Sequence, residues 1–346
     1  MPFLGQRSVT LVRTDIDIDV TSALPSGATS ETVAIAATVV WDPDRLAPRP
    51  WVHVAIPGGT YHRRYWDLRP PGRTGYSQAE WTAGRGDLFV ACDYLGGGDS
   101  SRPADGDFMT LEVCADAAHL VVQQLRDGIG QGTLVGGLPT LPDAPVVGLG
   151  QSLGGFITMM QQGKYRDFDA VAIFGASPLV IANIPQHRRL EGLSTEERRR
   201  AIMEDNARSS GVSELPMYHG APRANFAGIF HVPDVAHDLV EYDEAECHTL
   251  ISRVSGTDGM TPGISQALAA QITVPIFLAF GEIDVSADPH LEPSGYPAAN
   301  DITLVVVPNM AHMHNFADTR SLLWERFGAW LSAVIDGADT LSKVRS

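Results

Sequence analysis

The chain has 346 residues, of which 44% are hydrophobic, so it can bury a large core, and its length alone would allow two domains. Its formal net charge of −16 argues against nucleic acid and anionic membranes as partners, because both repel an acidic surface. The odd set of three separated cysteines, Cys92, Cys114 and Cys247, argues against a disulfide framework and favours a reducing, cytoplasmic location.

Two strand-like segments open the chain, from 9 to 20 and from 31 to 41. Between Asp15 and Val20 polar and apolar residues alternate with period two, which is typical of an antiparallel strand with one solvated face. We therefore expect an antiparallel edge of the sheet here. The first residues lack the continuous apolar region of a signal peptide, and no apolar run reaches the roughly 18 residues of a membrane span.

Two buried strands follow, and each ends in a loop that contains glycines. The strand from 51 to 56 precedes Pro57-Gly58-Gly59-Thr60-Tyr61, and the strand from 87 to 93 precedes the run Gly96-Gly97-Gly98. No Gly-Lys-Ser/Thr follows this run, and its spacing is not G-x-G-x-x-G before a helix, so nucleotide binding is not predicted. A helix is predicted over residues 108 to 128, with a continuous apolar face.

The most informative motif lies between residues 145 and 158. An apolar run leads into Gly150-Gln151-Ser152-Leu153-Gly154, and an apolar-periodic helix follows. This is the G-x-S-x-G pattern in the strand-turn-helix setting that places a serine hydroxyl above a sheet. Glycines two positions before and after the serine suit a sharp, strained turn. Because the helix begins at the serine, its free amides would face a developing oxyanion, so Ser152 is the predicted nucleophile.

Two later strands end in titratable residues. An apolar strand from 275 ends in two carboxylates, Glu282 and Asp284, and a strand from 302 is followed by a loop with His312 and His314. Two histidines two positions apart could ligate a metal ion, but no third ligand with suitable spacing lies nearby. We therefore predict no metal site, and nothing in the sequence calls for a cofactor.

Together these motifs resemble the α/β-hydrolase superfamily, in particular its serine esterases and lipases with a helical cap. The resemblance implies an α/β-hydrolase fold: a mostly parallel central sheet with an N-terminal antiparallel edge, flanking helices and an inserted helical cap. The expected core domain comprises residues 1–178 and 273–346, and the expected cap comprises residues 179–272. In such folds the nucleophile, the acid and the histidine follow in that order along the chain.

The resemblance also assigns the remaining members of a catalytic triad. In the family the acid usually lies three positions after a glycine that ends a strand, and Gly281 therefore points to Asp284, with Glu282 as the alternative. The family histidine lies in a short loop between the last strand and the last helix. His312 fits this place best, and His314 is the runner-up.

An oxyanion hole is the next expectation from the resemblance. Its first donor is the backbone amide of Leu153, directly after the nucleophile, and the second comes from the loop after the strand that ends at residue 56. We assign the second donor to Gly59 and keep Thr60 as the alternative. Family members commonly have histidine where this chain has Pro57, but a proline there removes no donor from the residues that follow it.

Between residues 179 and 272 the chain leaves the alternation of strands and helices. Helices are predicted over 195–209, 234–254 and 263–272. In the family an insertion at this place covers the nucleophile, excludes water and shapes the substrate pocket. Ordinary packing is the alternative for each of the side chains that we expect to contact substrate, namely Thr60, Tyr61, Tyr218, Phe226 and Phe230.

The function implied by the resemblance is hydrolysis of a small or medium carboxylic ester, lactone or thioester through an acyl-enzyme intermediate. Acyl transfer or carbon–carbon bond hydrolysis by the same triad stays open. So does a receptor-like member that binds a ligand with residual turnover. The expected partner is a small-molecule substrate, and a homodimer is left open.

Overall fold

The structure of the protein is a computed structural model that describes residues 10–179, 190, 192–233 and 235–345. Strands and helices are numbered in chain order. The strands of the described residues are β1 (Val12–Asp19), β2 (Ala34–Trp41), β3 (Val52–Ile56), β4 (Leu88–Cys92), β5 (Val146–Gln151), β6 (Ala170–Phe174), β7 (Tyr218–His219), β8 (Ile251–Ser252), β9 (Ile276–Ile283) and β10 (Ile302–Ala311).

Eight of these strands form the main sheet, in the order β1-β2-β4-β3-β5-β6-β9-β10. β2 pairs antiparallel with β1 and with β4, whereas the other neighbouring pairs are parallel. Strands β3 to β6 are buried along their whole length, which explains their continuous apolar sequences. The mostly parallel sheet with an antiparallel N-terminal edge confirms the predicted fold class.

Helices cover both faces of this sheet. The helices of the described residues are α1 (Gln78–Ala83), α2 (Leu111–Gln131), α3 (Leu153–Tyr165), α4 (Thr195–Ser209), α5 (His237–Glu246), α6 (Arg253–Asp258), α7 (Gln266–Ala269) and α8 (Arg320–Arg345). Buried side chains of α2 and α3 belong to the core on one face, and those of α1 and α8 to the core on the other face. None of the helices in the described part of the chain combines the length and apolarity that a bilayer crossing requires.

The register of the central strands brings their carboxyl ends to one edge. Ile56 at the end of β3 pairs with Gly150, and Gln151 at the end of β5 pairs with Phe174. Phe174 in turn pairs with Ala279 of β9. The loops after β3, β5, β6, β9 and β10 therefore begin at the same edge of the sheet, where ligands of open α/β sheets bind.

In its described residues, the segment between β6 and β9 carries the helices α4 to α7 and the small two-stranded sheet of β7 and β8. Helix α4 confirms the prediction over 195–209. The helix predicted over 234–254 is wrong beyond residue 246: α5 ends there, and the next residues pair with the core, since the Thr249 amide donates to the Thr60 carbonyl. Asp234, the first residue of that prediction, lies outside the described residues. The domain boundaries of 1–178, 179–272 and 273–346 stay a prediction.

Candidate active site

Ser152 lies on the sharp turn between β5 and α3. Its backbone has φ 52° and ψ −116°, a conformation that costs a residue other than glycine about 1–3 kcal/mol. The turn is so tight that a Cβ on Gly154 would lie 2.0 Å from the Ile56 carbonyl oxygen, and one on Gly150 would lie 2.3 Å from the Gly154 carbonyl oxygen. Close backbone packing therefore requires both glycines of the motif.

Ser152 lines a cavity of about 650 Å³ at the carboxyl edge of the sheet. The loops after the core strands contribute Gly59, Thr60 and His312 to its wall. The segment between β6 and β9 contributes mostly apolar side chains, with the aromatic rings of Phe226 and Phe230 among them. The nucleophile candidate thus faces a partly open, largely apolar cavity that both parts of the chain build.

His312 lies on the loop after β10 and contacts Asp284, which follows β9. The Nδ1 atom of His312 is 2.6 Å from Oδ1 of Asp284, and their side chains are only 4% and 1% exposed. Gly175, after β6, makes room for this pair. Its φ of 57° lies in the left-handed region, and a Cβ there would lie 2.9 Å from His312 Nδ1.

The Asp284 carboxylate is held by four donors. The backbone amides of Gly281 and Val285 donate to its two oxygens at 2.8 Å each, and His312 and His314 supply the other two contacts. Burial by itself would raise the pKa of Asp284, but the electrostatic attraction of His312 and the hydrogen bonds from His312 and His314 outweigh burial and lower the pKa below its ordinary value. Asp284 is therefore an ionised acceptor.

The alternative acid and base have other surroundings. Glu282 is exposed and accepts the Asn309 amide at 2.8 Å. His314 is 1% exposed, does not line the cavity, and places Nε2 at 2.8 Å from Asp284 Oδ2. The two histidines thus share a carboxylate. Within the described residues no group of three or more His, Cys, Asp or Glu side chains is arranged to hold a metal ion.

The backbone amides of Gly59 and Leu153, both at the cavity wall, have no hydrogen-bond acceptor within the described parts of the chain. The amide of Thr60 is occupied, because it donates to the Tyr94 hydroxyl at 3.0 Å. A Cβ on Gly59 would lie 3.7 Å from Leu153 Cβ, so the two loops are in close contact. Of the two expected choices for the second donor, Gly59 is the one that the structure leaves free.

The second nitrogen of the His312 ring, Nε2, contacts Gln151, the residue before the serine. His312 Nε2 lies 3.5 Å from the Gln151 side-chain nitrogen, which also donates to the His312 carbonyl at 3.0 Å. Across residues 10–179 and 235–334, where both side chains lie, no hydrogen bond joins Ser152 to His312. Bonds between a nucleophile and its base are often long without substrate and tighten when it binds.

Three of the five predicted pocket side chains line the cavity, namely Thr60, Phe226 and Phe230. The rings of Phe226 and Phe230 stack at 4.6 Å, and Phe230 lies 5.8 Å from the His312 ring. The structure does not bring Tyr218 to the cavity wall. Its hydroxyl instead donates to the Pro103 carbonyl at 2.6 Å.

Tyr61 is the fifth predicted pocket residue, and it too lies away from the cavity wall. Its hydroxyl donates to Asp243 at 2.6 Å, and its ring lies 3.8 Å below the Arg223 guanidinium. His231 Nε2 contacts the same carboxylate at 2.8 Å. We call Tyr61, Arg223, His231 and Asp243 the Asp243 cluster. It was not predicted, since Tyr61 and Asp243 are 182 positions apart and neither belongs to a motif.

The Asp243 cluster holds the loop that carries Gly59. Arg223 donates to the Thr60 hydroxyl at 2.8 Å and to the Thr60 carbonyl at 3.1 Å. Thr60 has a φ of 63°, which is unfavourable for a residue other than glycine, and these contacts offset that cost. The predicted cap segment therefore takes part in positioning the loop next to Ser152.

Comparisons with known proteins show the family to which this chain belongs. A model of the alpha/beta hydrolase family matches residues 30–322. A comparison with curated protein sequences gives no match. Among solved structures, bromoperoxidase from Bacillus anthracis is similar with a TM-score of 0.59 and 14% identity over 93% of this chain and 100% of that chain.

Two esterases are also similar in structure. The thermophilic esterase from Thermogutta terrifontis has a TM-score of 0.57 and 16% identity over 93% of this chain and 99% of that one. An esterase from Exiguobacterium antarcticum has a TM-score of 0.60 and 17% identity over 88% and 98%. These likenesses concern the fold, whereas the family model covers most of the sequence. The chain belongs to the alpha/beta hydrolase family.

Proposed function

We propose that this protein is a serine hydrolase that cleaves an uncharged small or medium carboxylic ester through an acyl-enzyme intermediate. Ser152 is the nucleophile, His312 the general base and then acid, and Asp284 the residue that orients His312. The amides of Gly59 and Leu153 bind the oxyanion.

One observation carries this proposal: Ser152, His312 and two unpartnered amides meet at the wall of a single cavity. Each element alone has a structural explanation. Their convergence supplies a nucleophile, a base whose Nε2 is not bound by the acid, and donors for a developing negative charge, which is the set of groups that acyl transfer needs.

The reaction follows from these positions. As Ser152 Oγ bonds to the ester carbonyl carbon, its proton passes to His312 Nε2, and the carbonyl oxygen becomes an oxyanion between the two amides. Collapse breaks the bond to the alcohol oxygen, which takes the proton from His312. Water then attacks the acyl-enzyme by the same route, releases the carboxylic acid and restores Ser152.

The cavity wall supports an uncharged substrate. No Asp, Glu, Lys or Arg belongs to it among the described residues. His219 is also on the wall, and burial lowers its pKa, so it adds no positive charge at neutral pH. Arg63, on the segment after the Gly59 loop, is paired with Asp93 and Asp99 and is not free to bind an anion.

Some of the similar solved structures have names that state ester chemistry. Two of them are esterases, and another is a thioesterase domain from the curacin biosynthetic pathway. An oxygen ester, a thioester and a lactone all present the same kind of carbonyl group to the oxyanion site, so a test of the substrate class has to include all three.

The test is turnover of chromogenic esters of graded acyl length, run beside thioesters and lactones. We expect sustained turnover that Ser152→Ala lowers on the order of a million-fold without loss of folding. The exposed Ser26→Ala is the matched control, with wild-type activity expected. A fluorophosphonate probe should label Ser152 alone.

Two outcomes would contradict the proposal. If Ser152→Ala keeps most of the activity, or the probe labels another serine, the nucleophile is wrong. If the wild-type protein binds substrates of the panel without turning any of them over, the site is a receptor-like binding site instead of a hydrolytic one.

A further inference from the structure

His314 is buried beside the candidate triad, and the proposed mechanism does not use it. Its Nε2 lies 2.8 Å from Asp284 Oδ2, while His312 Nδ1 lies 2.6 Å from Oδ1 of the same carboxylate. The two imidazoles therefore contact opposite oxygens of one side chain. The side chains of His314 and Asp284 are both 1% exposed, so water does not compete for this contact.

The proton on His314 can be placed from its surroundings. Asp284 is ionised and can only accept, so the Nε2 atom of His314 carries the hydrogen. Its other nitrogen, Nδ1, is buried and has no hydrogen-bond partner among the described residues. Protonating Nδ1 would leave an unpaired N–H in the interior, so the neutral Nε2–H form fits the site. In this form His314 is a permanent donor to Asp284 and is not a base.

The other titratable groups near the carboxylate do not replace this donor. Glu292, which follows β9, and Tyr65, which packs under the Asn315 loop, are both buried, and burial raises the pKa of each. Neither supplies a positive charge to Asp284. Without His314, Oδ2 would keep only the Gly281 amide, and more negative charge would concentrate on the oxygen that faces His312.

We propose that His314 is a positioning residue of the same site: it fixes the plane of the Asp284 carboxylate and withdraws charge from it, which keeps His312 aligned and ready to exchange a proton. This inference rests on the proposed function. It adds His314 to the triad as a fourth side chain, which acts on the acid and not as a second base.

The test compares His314→Gln with His314→Met. The glutamine amide nitrogen can occupy the place of Nε2 and donate to Asp284, whereas methionine has a similar volume and no donor. We expect His314→Met to lose about 10- to 100-fold in kcat with little change in KM, as for a lost hydrogen bond to a charged group. The acidic limb of its kcat/KM profile should move to higher pH, because the carboxylate holds the His312 proton more strongly.

The controls separate positioning from structure. His314→Gln should recover most of kcat and the wild-type limb, and His237→Met, at an exposed histidine of the cap segment, should change neither. A wild-type kcat and limb in His314→Met would overturn the proposal. So would equal losses in both His314 variants with an unmoved limb, since that pattern indicates a role in packing alone.

A second measurement needs neither a variant nor turnover. Nitrogen-15 NMR of the histidine rings in the wild-type protein reports the tautomer of His314 directly. At the pH of the activity assays we expect a neutral His314 ring with its hydrogen on Nε2. A doubly protonated ring, or a hydrogen on Nδ1, would overturn the proposal. If the ester panel gives no turnover, the proposed function fails, and this spectrum still decides the role of His314.

Discussion

Asp284 of the core and Asp243 of the cap segment, residues 179–272, are both buried carboxylates that contact a histidine, but only Asp284 contacts a histidine of the cavity wall. Each contacts a histidine closely: Asp284 with His312 at 2.6 Å, and Asp243 with His231 at 2.8 Å. The difference lies in the other nitrogen of each histidine. His312 lines the cavity, and its Nε2 has only a long contact of 3.5 Å with the Gln151 side chain, whereas Nδ1 of His231 is buried without a partner in the described chain.

The two carboxylates also differ in the groups that balance their negative charge. Asp243 contacts the Arg223 guanidinium at 3.3 Å, and the Tyr61 hydroxyl donates to it. Asp284 has only neutral backbone amides besides its histidines. A histidine–carboxylate pair can therefore exchange a proton with substrate only where one ring nitrogen is open. The Asp243 pair lacks that opening and instead joins the cap segment to the loop that carries Gly59.

Asp284→Asn is the substitution with the largest expected effect on this comparison. The asparagine fits the space but favours the wrong His312 tautomer, so kcat should fall by about 10⁴-fold, as expected for a triad acid. The free energy of unfolding should change less than the activation barrier, because the asparagine oxygen still accepts one of the two backbone amides while the other loses its acceptor. Ester hydrolysis and urea denaturation measure both quantities.

Asp243→Asn is the matched change in the cap segment, and we expect the reverse pattern. Removing this charge leaves Arg223 buried without a counter-charge, which destabilises a protein by about 3–5 kcal/mol. At temperatures where the variant is folded, kcat should stay within about tenfold of wild type. A loss of activity as large as that of Asp284→Asn, with unchanged stability in urea, would erase the distinction between the two sites.

Phe226→Ala tests whether the cap segment selects the substrate. Its ring lines the cavity, so removing it should shift the preference over graded acyl lengths toward longer chains. Each methylene that the pocket newly accommodates should favour the longer substrate by about 1–3 kcal/mol in the transition state. Tyr218→Phe is the control, since Tyr218 lies outside the cavity wall. An unchanged acyl profile in Phe226→Ala would place substrate selection elsewhere.

Glu282→Gln should have the smallest effect. Glu282 is exposed and contacts the Asn309 amide, so its loss should lower kcat by less than about tenfold, which is no more than ~1.4 kcal/mol in the barrier. If Glu282→Gln impaired hydrolysis as much as Asp284→Asn, the acid would have been assigned to the wrong carboxylate. Parallel measurements on both variants with one ester decide this.

The candidate site could be predicted wherever a residue directly follows a strand. Ser152, Asp284 and His312 each come after an apolar run, and the carboxyl ends of parallel strands meet at one edge of the sheet. The antiparallel edge was likewise visible in the period-two pattern of β1. Local sequence therefore predicts the strand ends at which these residues lie, whereas the choice of Asp284 over Glu282 and of His312 over His314 came from the family resemblance.

The contacts of the cap segment could not be predicted, because they depend on distant partners. The residues after α5 were expected to continue a helix, yet the Thr249 amide pairs with the Thr60 carbonyl of the core. Tyr61 resembled a pocket residue beside a glycine loop, but its hydroxyl is taken by Asp243. Neither partner has a sequence signal that links it to the other.

The contact between the cap segment and the His312 loop bears on the order of substrate entry and bond cleavage. The carbonyls of Ile229 and Phe230 accept the amides of His312 and Met313 at 2.9 and 3.0 Å. Any opening that lifted residues 229 and 230 would remove two hydrogen bonds, each worth about 0.5–1.5 kcal/mol, from the loop that bears the base. Such an open form could admit a substrate without cleaving it. Closure would then restore the base and the barrier to water in one movement, so bond cleavage would wait until the substrate is enclosed.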